Sequence, residues 1–141
     1  MRCTDYDAAL ALWQRCVGMG LSDADEREPM TRFMERNPGL NFIALDEENL
    51  IGTVLCGSDG RRGYLYHLAV DPAHRRQGIG TDLVDAVFDA LHAIDIHKCH
   101  IMVYATNDTG LAFWKQEGWM TRPEIVLMSK NVGLKKEDSG C

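Results

Sequence analysis

The chain has 141 residues, 45% hydrophobic and 26% charged, the size and balance of one globular domain that builds its core without metal or disulfide staples. Its 15 basic against 21 acidic residues leave a formal net charge of −6, which argues against nucleic acid as a partner. No apolar run approaches the ~20 residues a bilayer requires, and no basic segment followed by an apolar signal core opens the chain. The expectation is a cytoplasmic protein without membrane contact.

In chain order, Asp5 stands where a cap would, before apolar residues at helical spacing: Ala8, Ala9, Leu12, Trp13 and Cys16. Gly18 and Gly20 end that helix. Residues 22–28 are acidic, and Pro29 suits the first turn of a second helix carrying Met30, Phe33 and Met34. Asn37-Pro38-Gly39 stops it.

Residues 40–45 read as a strand, 46–49 as a polar hairpin turn, and 50–56 as the return strand. Gly52 marks a bulge or a close approach there. A second turn, 57–63, leads into an aromatic and aliphatic strand over 64–70, which Asp71-Pro72 stops because proline has no N–H to continue a ladder. Ile79, Leu83, Val84, Val87, Phe88, Leu91 and Ile94 then recur at helical spacing.

Residues 99–105 alternate as another strand, and Thr106-Asn107 opens a helix to about Glu117. Met120-Thr121 and residues 125–128 are the last strand candidates. The whole predicts one α/β (α+β) domain over 1–141, with a core over about 1–130 and a tail over 131–141. Its sheet is expected to be mixed and mostly antiparallel, of about six to seven strands with helices on both faces.

The five cysteines, at positions 3, 16, 56, 99 and 141, form no CxxC and no metal-ligand spacing, so reduced thiols and no metal are expected. The informative stretch is His74-Arg75-Arg76-Gln77-Gly78-Ile79-Gly80-Thr81, lying between a strand and a helix. A helix N-terminus presents unpartnered N–H groups and a partial positive charge. Gly78 and Gly80 let an anion approach the backbone, and Arg75 and Arg76 add charge-assisted donors. In an acidic chain this local positive charge reads as an anion site.

Arg75-x-x-Gly78-x-Gly80, preceded by Leu68-Ala69-Val70-Asp71-Pro72 and followed by Asn107, Phe113-Trp114 and Gly118-Trp119, resembles the GNAT superfamily of N-acetyltransferases over about residues 5–130. The resemblance is to a small bacterial-type acetyltransferase. It implies acetyl-CoA as cosubstrate and direct transfer of the acetyl group to a primary amine.

It further implies that Leu68, Ala69 and Val70 pair with pantetheine as an added strand. Arg75, Arg76, Gln77, Gly78, Ile79, Gly80 and Thr81 would hold the pyrophosphate, and Asn107 and Trp114 would contact the cofactor arm. Asn107 also suits a helix cap, and Trp114 the core side of an amphipathic helix.

Two departures from the family pattern bear on catalysis. Trp114 stands where many relatives carry a proton-donating tyrosine, and an indole N–H does not give up its proton. Met102 stands where relatives that acetylate protein N-termini carry glutamate. Tyr66, His67 and Tyr104 are the remaining catalytic candidates, with His100, on the same strand face as Tyr104, a rival base. Strand alternation puts Tyr64, Tyr66 and Leu68 on one face and His67 on the other, which favours an enzyme that selects the neutral fraction of its amine; a bulge would reverse this. The carboxylates of residues 22–28 suggest a cationic amine acceptor. A non-catalytic acyl-CoA-binding module and a homodimer formed through exposed strand edges are the alternatives in other classes.

Overall fold

The computed structural model describes residues 1–133; the tail expected over 131–141 therefore lies largely outside the described residues. Two helices, α1 (Tyr6–Arg15) and α2 (Arg27–Arg36), come first. An antiparallel meander follows: β1 (Phe42–Asp46), β2 (Asn49–Ser58) and β3 (Gly63–Val70). Helix α3 (Ile79–Ala93) crosses over to β4 (Cys99–Ile101), which lies parallel to β3, and α4 (Asp108–Gln116) closes the order.

β2 is buried along most of its length, as a strand covered on both faces must be. Its alternation sorts the core. Val54 and Cys56 pack with Leu65, Val84, Val87 and Trp114 under α3 and α4. Leu55 packs with Tyr6, Leu12, Trp13 and Met34 under α1 and α2. Truncating a fully buried residue such as Leu55 to alanine would cost about 2–5 kcal/mol.

Among the described residues the sheet has four strands, not the six to seven expected. β4 ends at Ile101 and does not reach residue 105, and residues 120–121 and 125–128 form no strand. Pro123 has no N–H to offer a ladder, and the Ile125 N–H closes a turn on the Arg122 carbonyl (3.2 Å). Ile125, Val126, Leu127 and Met128 are exposed. Among the described residues no helix is long and apolar enough to cross a membrane.

A second correction decides the site. Leu55 pairs with Tyr66, but Thr53 pairs with Ala69, so His67 and Leu68 together oppose Val54. That extra residue is a β-bulge. His67 takes a left-handed backbone, φ +47°, which costs a non-glycine residue about 1–3 kcal/mol and persists only where the surroundings enforce it. The bulge cancels one step of alternation. Tyr66 therefore packs on Phe33 of α2 (centroids 5.9 Å) and His67 on Trp13 of α1 (4.7 Å). Leu68 turns to the α3 layer. Tyr66 and His67 share a face, contrary to simple alternation.

Candidate functional site

The site begins where a strand partner is withdrawn. β4 pairs with β3 only from Gly63 to Leu65, whereas β2 stays with β3 as far as Val70. From Tyr66 to Val70 the β4-side edge of β3 is thus without a strand among the described residues. An extended chain carrying amides can add there by the same ladder that holds the sheet. Leu68, Ala69 and Val70 all lie on this stretch.

The edge runs into the turn that opens α3. Asp71 caps that turn, its Oδ1 accepting from the Ala73 N–H (2.9 Å), while Arg15 reaches Oδ2 (3.1 Å). These bonds, the Ala73 N–H foremost, hold the Asp71 carboxyl below the usual carboxylate range. His74 ties the turn to the β1–β2 hairpin through Asp46 (3.1 Å). Arg75 lays its Nε on the Val70 carbonyl (3.4 Å). Arg76 and Gln77 are exposed, Arg76 at φ +65°.

Gly78 is the helix cap, at φ +78°, and an added Cβ would meet nothing within 4 Å. The space is open, but the conformation demands glycine. The Asp82 N–H bonds the Gly78 carbonyl (3.0 Å), while the N–H groups of Ile79, Gly80 and Thr81 find no partner among the described residues. These are the orphan donors of a helix N-terminus. A Cβ on Gly80 would lie 3.4 Å from the Phe113 ring, in ordinary contact, so the first turn of α3 packs beside α4. The Thr81 hydroxyl is engaged, donating to Glu117 (2.7 Å).

At the other end of the edge stands His67. Its Nε2 lies 2.5 Å from Asp25 Oδ1, with side chains 13% and 11% exposed. The other carboxylate oxygen accepts from the Ser22 N–H (2.8 Å), and the Asp25 carbonyl accepts from the Tyr6 hydroxyl (2.7 Å). The Trp13 indole N–H donates to the buried Thr53 hydroxyl (2.8 Å), which donates to the His67 carbonyl (2.9 Å). Side chain and backbone of His67 are therefore both held from α1, β2 and the α1–α2 loop.

Sequence reasoning missed Asp25. It read as one more carboxylate of an acidic turn, and the available signal was its spacing from Ser22, that of a capping pair; the structure forms that cap.

Between these ends two loops meet. A Cβ on Gly20 would come within 2.4 Å of the Tyr104 hydroxyl, and one on Gly18 within 3.6 Å of the Asn107 amide. The α1–α2 loop thus faces the β4–α4 loop, and Tyr104 and Met102 are exposed there. Asn107 caps α4, its side-chain oxygen accepting from the Gly110 N–H (3.0 Å). Trp114 is 7% exposed, in the core beside Phe113 and Trp119; of the two residues it is Phe113 that meets the anion loop.

Burial lifts the Tyr66 phenol above its usual range, so at neutral pH it can donate a proton but not take one. The Cys99 thiol, hydrogen-bonded with Cys56 and partly buried, is pushed far above the usual thiol range, a poor nucleophile.

A split sheet edge running into a helix N-terminus is a backbone pattern. The acetyltransferase (GNAT) family model matches residues 6–119. The chain belongs to that family. An acetyltransferase of Pectobacterium atrosepticum is 30% identical over 126 residues, 89% of each chain.

Among solved structures, the PaiA N-acetyltransferase of Thermoplasma acidophilum, in complex with coenzyme A, superposes with a TM-score of 0.74 at 16% identity, covering 83% of this chain and 84% of that one. An aminoglycoside 6′-N-acetyltransferase of Acinetobacter haemolyticus superposes at 0.75 and 18% identity, covering 94% and 97%. These likenesses show the fold. Family and relatives together make the chain an acetyl-CoA-dependent N-acetyltransferase, with acetyl-CoA as cosubstrate.

Proposed function

We propose that this acetyltransferase binds acetyl-CoA along the β3 edge and delivers the acetyl group to a primary amine entering between the α1–α2 and β4–α4 loops. One observation carries the reading: β3 loses its β4 partner after Leu65 while keeping β2 to Val70, beside unpartnered N–H groups at the start of α3. Pantetheine would extend the sheet on Leu68, Ala69 and Val70. The pyrophosphate would take the N–H groups of Gly78, Ile79, Gly80 and Thr81, with Arg75, Arg76 and Gln77 around it. Because that anion site follows the C-terminal end of β3, the arm runs back along the strand and puts its thioester near the His67 bulge.

The acceptor is read as a cationic amine. Asp23 and Glu26 lie exposed on the acidic loop at the mouth, and a carboxylate rim favours an ammonium. The Tyr66 and Tyr104 hydroxyls are the nearest proton donors for a departing thiolate. Asn107 is spent on its cap and Trp114 on the core, so both serve the cofactor by holding α4 in place. A cytoplasmic setting fits the free thiols of Cys3, Cys16, Cys56 and Cys99.

Thiol release from acetyl-CoA over a panel of polyamines, aminoglycosides and peptides with a free N-terminus tests the reading. Amine-dependent release is expected; binding of CoA without release from any amine would contradict it.

A further inference from the structure

We infer that Asp25 and His67 form a catalytic dyad in which His67 Nδ1 takes the proton of the acceptor ammonium and Asp25 is the positioning residue that keeps that nitrogen free. The inference rests on the functional reading above and adds the base that it lacks.

The geometry fixes the proton. A carboxylate oxygen 2.5 Å from Nε2 accepts a hydrogen bond and so stabilises the tautomer with hydrogen on Nε2. The lone pair then sits on Nδ1, which has no protein partner among the described residues and is not among their buried unpaired atoms, on a side chain that is 13% exposed. Both Asp25 oxygens are occupied, by His67 and by the Ser22 N–H. Asp25 is therefore unavailable as an acceptor-binding carboxylate, which separates it from Asp23 and Glu26 on the same loop.

The placement suits the chemistry. The bulge sets His67 two positions beyond the last β3–β4 pair, where the thioester would lie. The loop carrying Asp25 also carries Gly20, which abuts Tyr104, so base and acceptor mouth are one assembly. Around the ring, α1 contributes Trp13 and the Tyr6 hydroxyl, β2 contributes Thr53, the α1–α2 loop contributes Asp25, and Tyr66 is the titratable neighbour on β3.

The step balances. The acceptor ammonium gives one proton to Nδ1, and its nitrogen pair attacks the thioester carbonyl. The C–N bond forms and the C–S bond breaks. The second amine proton reaches the thiolate by relay through the Tyr66 or Tyr104 hydroxyl, which gives up its own proton and takes the amine's, and the third stays on the amide. Nδ1 later returns its proton to solvent.

The test compares the wild type with Asp25→Asn, His67→Gln and the double variant. CoA affinity by calorimetry serves as the check on folding. In His67→Gln, kcat/KM should fall about 10²-fold or more, and the imidazole limb of its pH profile should vanish, as for a lost general base. In Asp25→Asn, the carboxamide can donate to Nε2 and force hydrogen onto Nδ1; a comparable fall is expected, with CoA affinity unchanged. The double variant should be no worse than the weaker single one, since the pair acts as a unit.

Ring-nitrogen NMR of the wild type supplies a readout without turnover, in which neutral His67 should carry hydrogen on Nε2. Nearly full activity in Asp25→Asn, effects that multiply in the double variant, or hydrogen on Nδ1 would each overturn the dyad. If no amine yields thiol from the wild type, the functional reading fails, and the base role with it, whatever the tautomer.

Discussion

The two ends of the free β3 edge are made of different material. At its C-terminal end the proposed anion site is backbone: the first N–H groups of α3 and Gly78 at φ +78°, all within a few residues of one another. At the other end, around His67, the site is side chains drawn from distant parts of the chain. Asp25 and His67 are 42 residues apart, as Trp13 and Thr53 are 40 apart. The first end works by the local geometry of a turn, and the second exists only once α1, α2 and the sheet have packed. The anion end should therefore tolerate side-chain change and fail on backbone change, and the other end should behave the opposite way.

Gly78→Val breaks the comparison hardest. A β-branched residue at that φ is a genuine outlier, costing about 1–2 kcal/mol or more. CoA affinity by calorimetry should fall about 5- to 30-fold. Gly80→Ala, two residues on, puts its Cβ in ordinary contact with Phe113 and should leave affinity within about twofold. Equal losses would show that the loop reads side-chain bulk and not conformation.

Gly20→Ala sharpens the acceptor end. Its Cβ must displace the exposed Tyr104 hydroxyl, so the KM for the amine should rise about three- to tenfold, ~0.6–1.4 kcal/mol, while CoA affinity holds. Parallel loss of CoA affinity would place Tyr104 on the cofactor side.

Trp114→Phe separates core from chemistry. The indole N–H makes no hydrogen bond among the described residues, so turnover should fall by less than about tenfold. The melting temperature should drop, because a buried ring has lost volume. A thousandfold fall in turnover with intact CoA binding would show the indole acting on the thiolate.

The smallest effect concerns Asp71. Its carboxyl is held below the unfolded value, so its contribution is present above about pH 4 and is lost as pH falls through the folded pKa. Asp71→Asn should narrow the difference in melting temperature between pH 7 and pH 3. An unchanged difference would mean that the cap adds nothing when ionised.

The same contrast explains what could be read from the sequence. The strand–turn–helix around Gly78 and the capping role of Asn107 are local, and both were legible, as were the two first helices and the meander. The expectation that Gly80 opens the backbone to an anion was local, whereas its neighbour Phe113 could not be read because that ring lies on a helix far along the chain. The face of His67 was misjudged because period two holds only until a residue is inserted, and the insertion shows only in the pairing of β2 with β3. Asp25 was hidden for want of any local pattern joining it to His67. The strand count failed at residues 120–128, where strand-like composition meets Pro123 and a turn.

The central claim is that the unpaired β3 edge receives the cofactor arm, and amide hydrogen exchange measured with and without saturating CoA tests it most directly. Protection should rise at the amides of Leu68 to Val70 that point away from β2, and at Ile79, Gly80 and Thr81, while the β2-facing amides of β3 stay as they were. Protection rising at α3 alone, with residues 68–70 unchanged, would contradict the account.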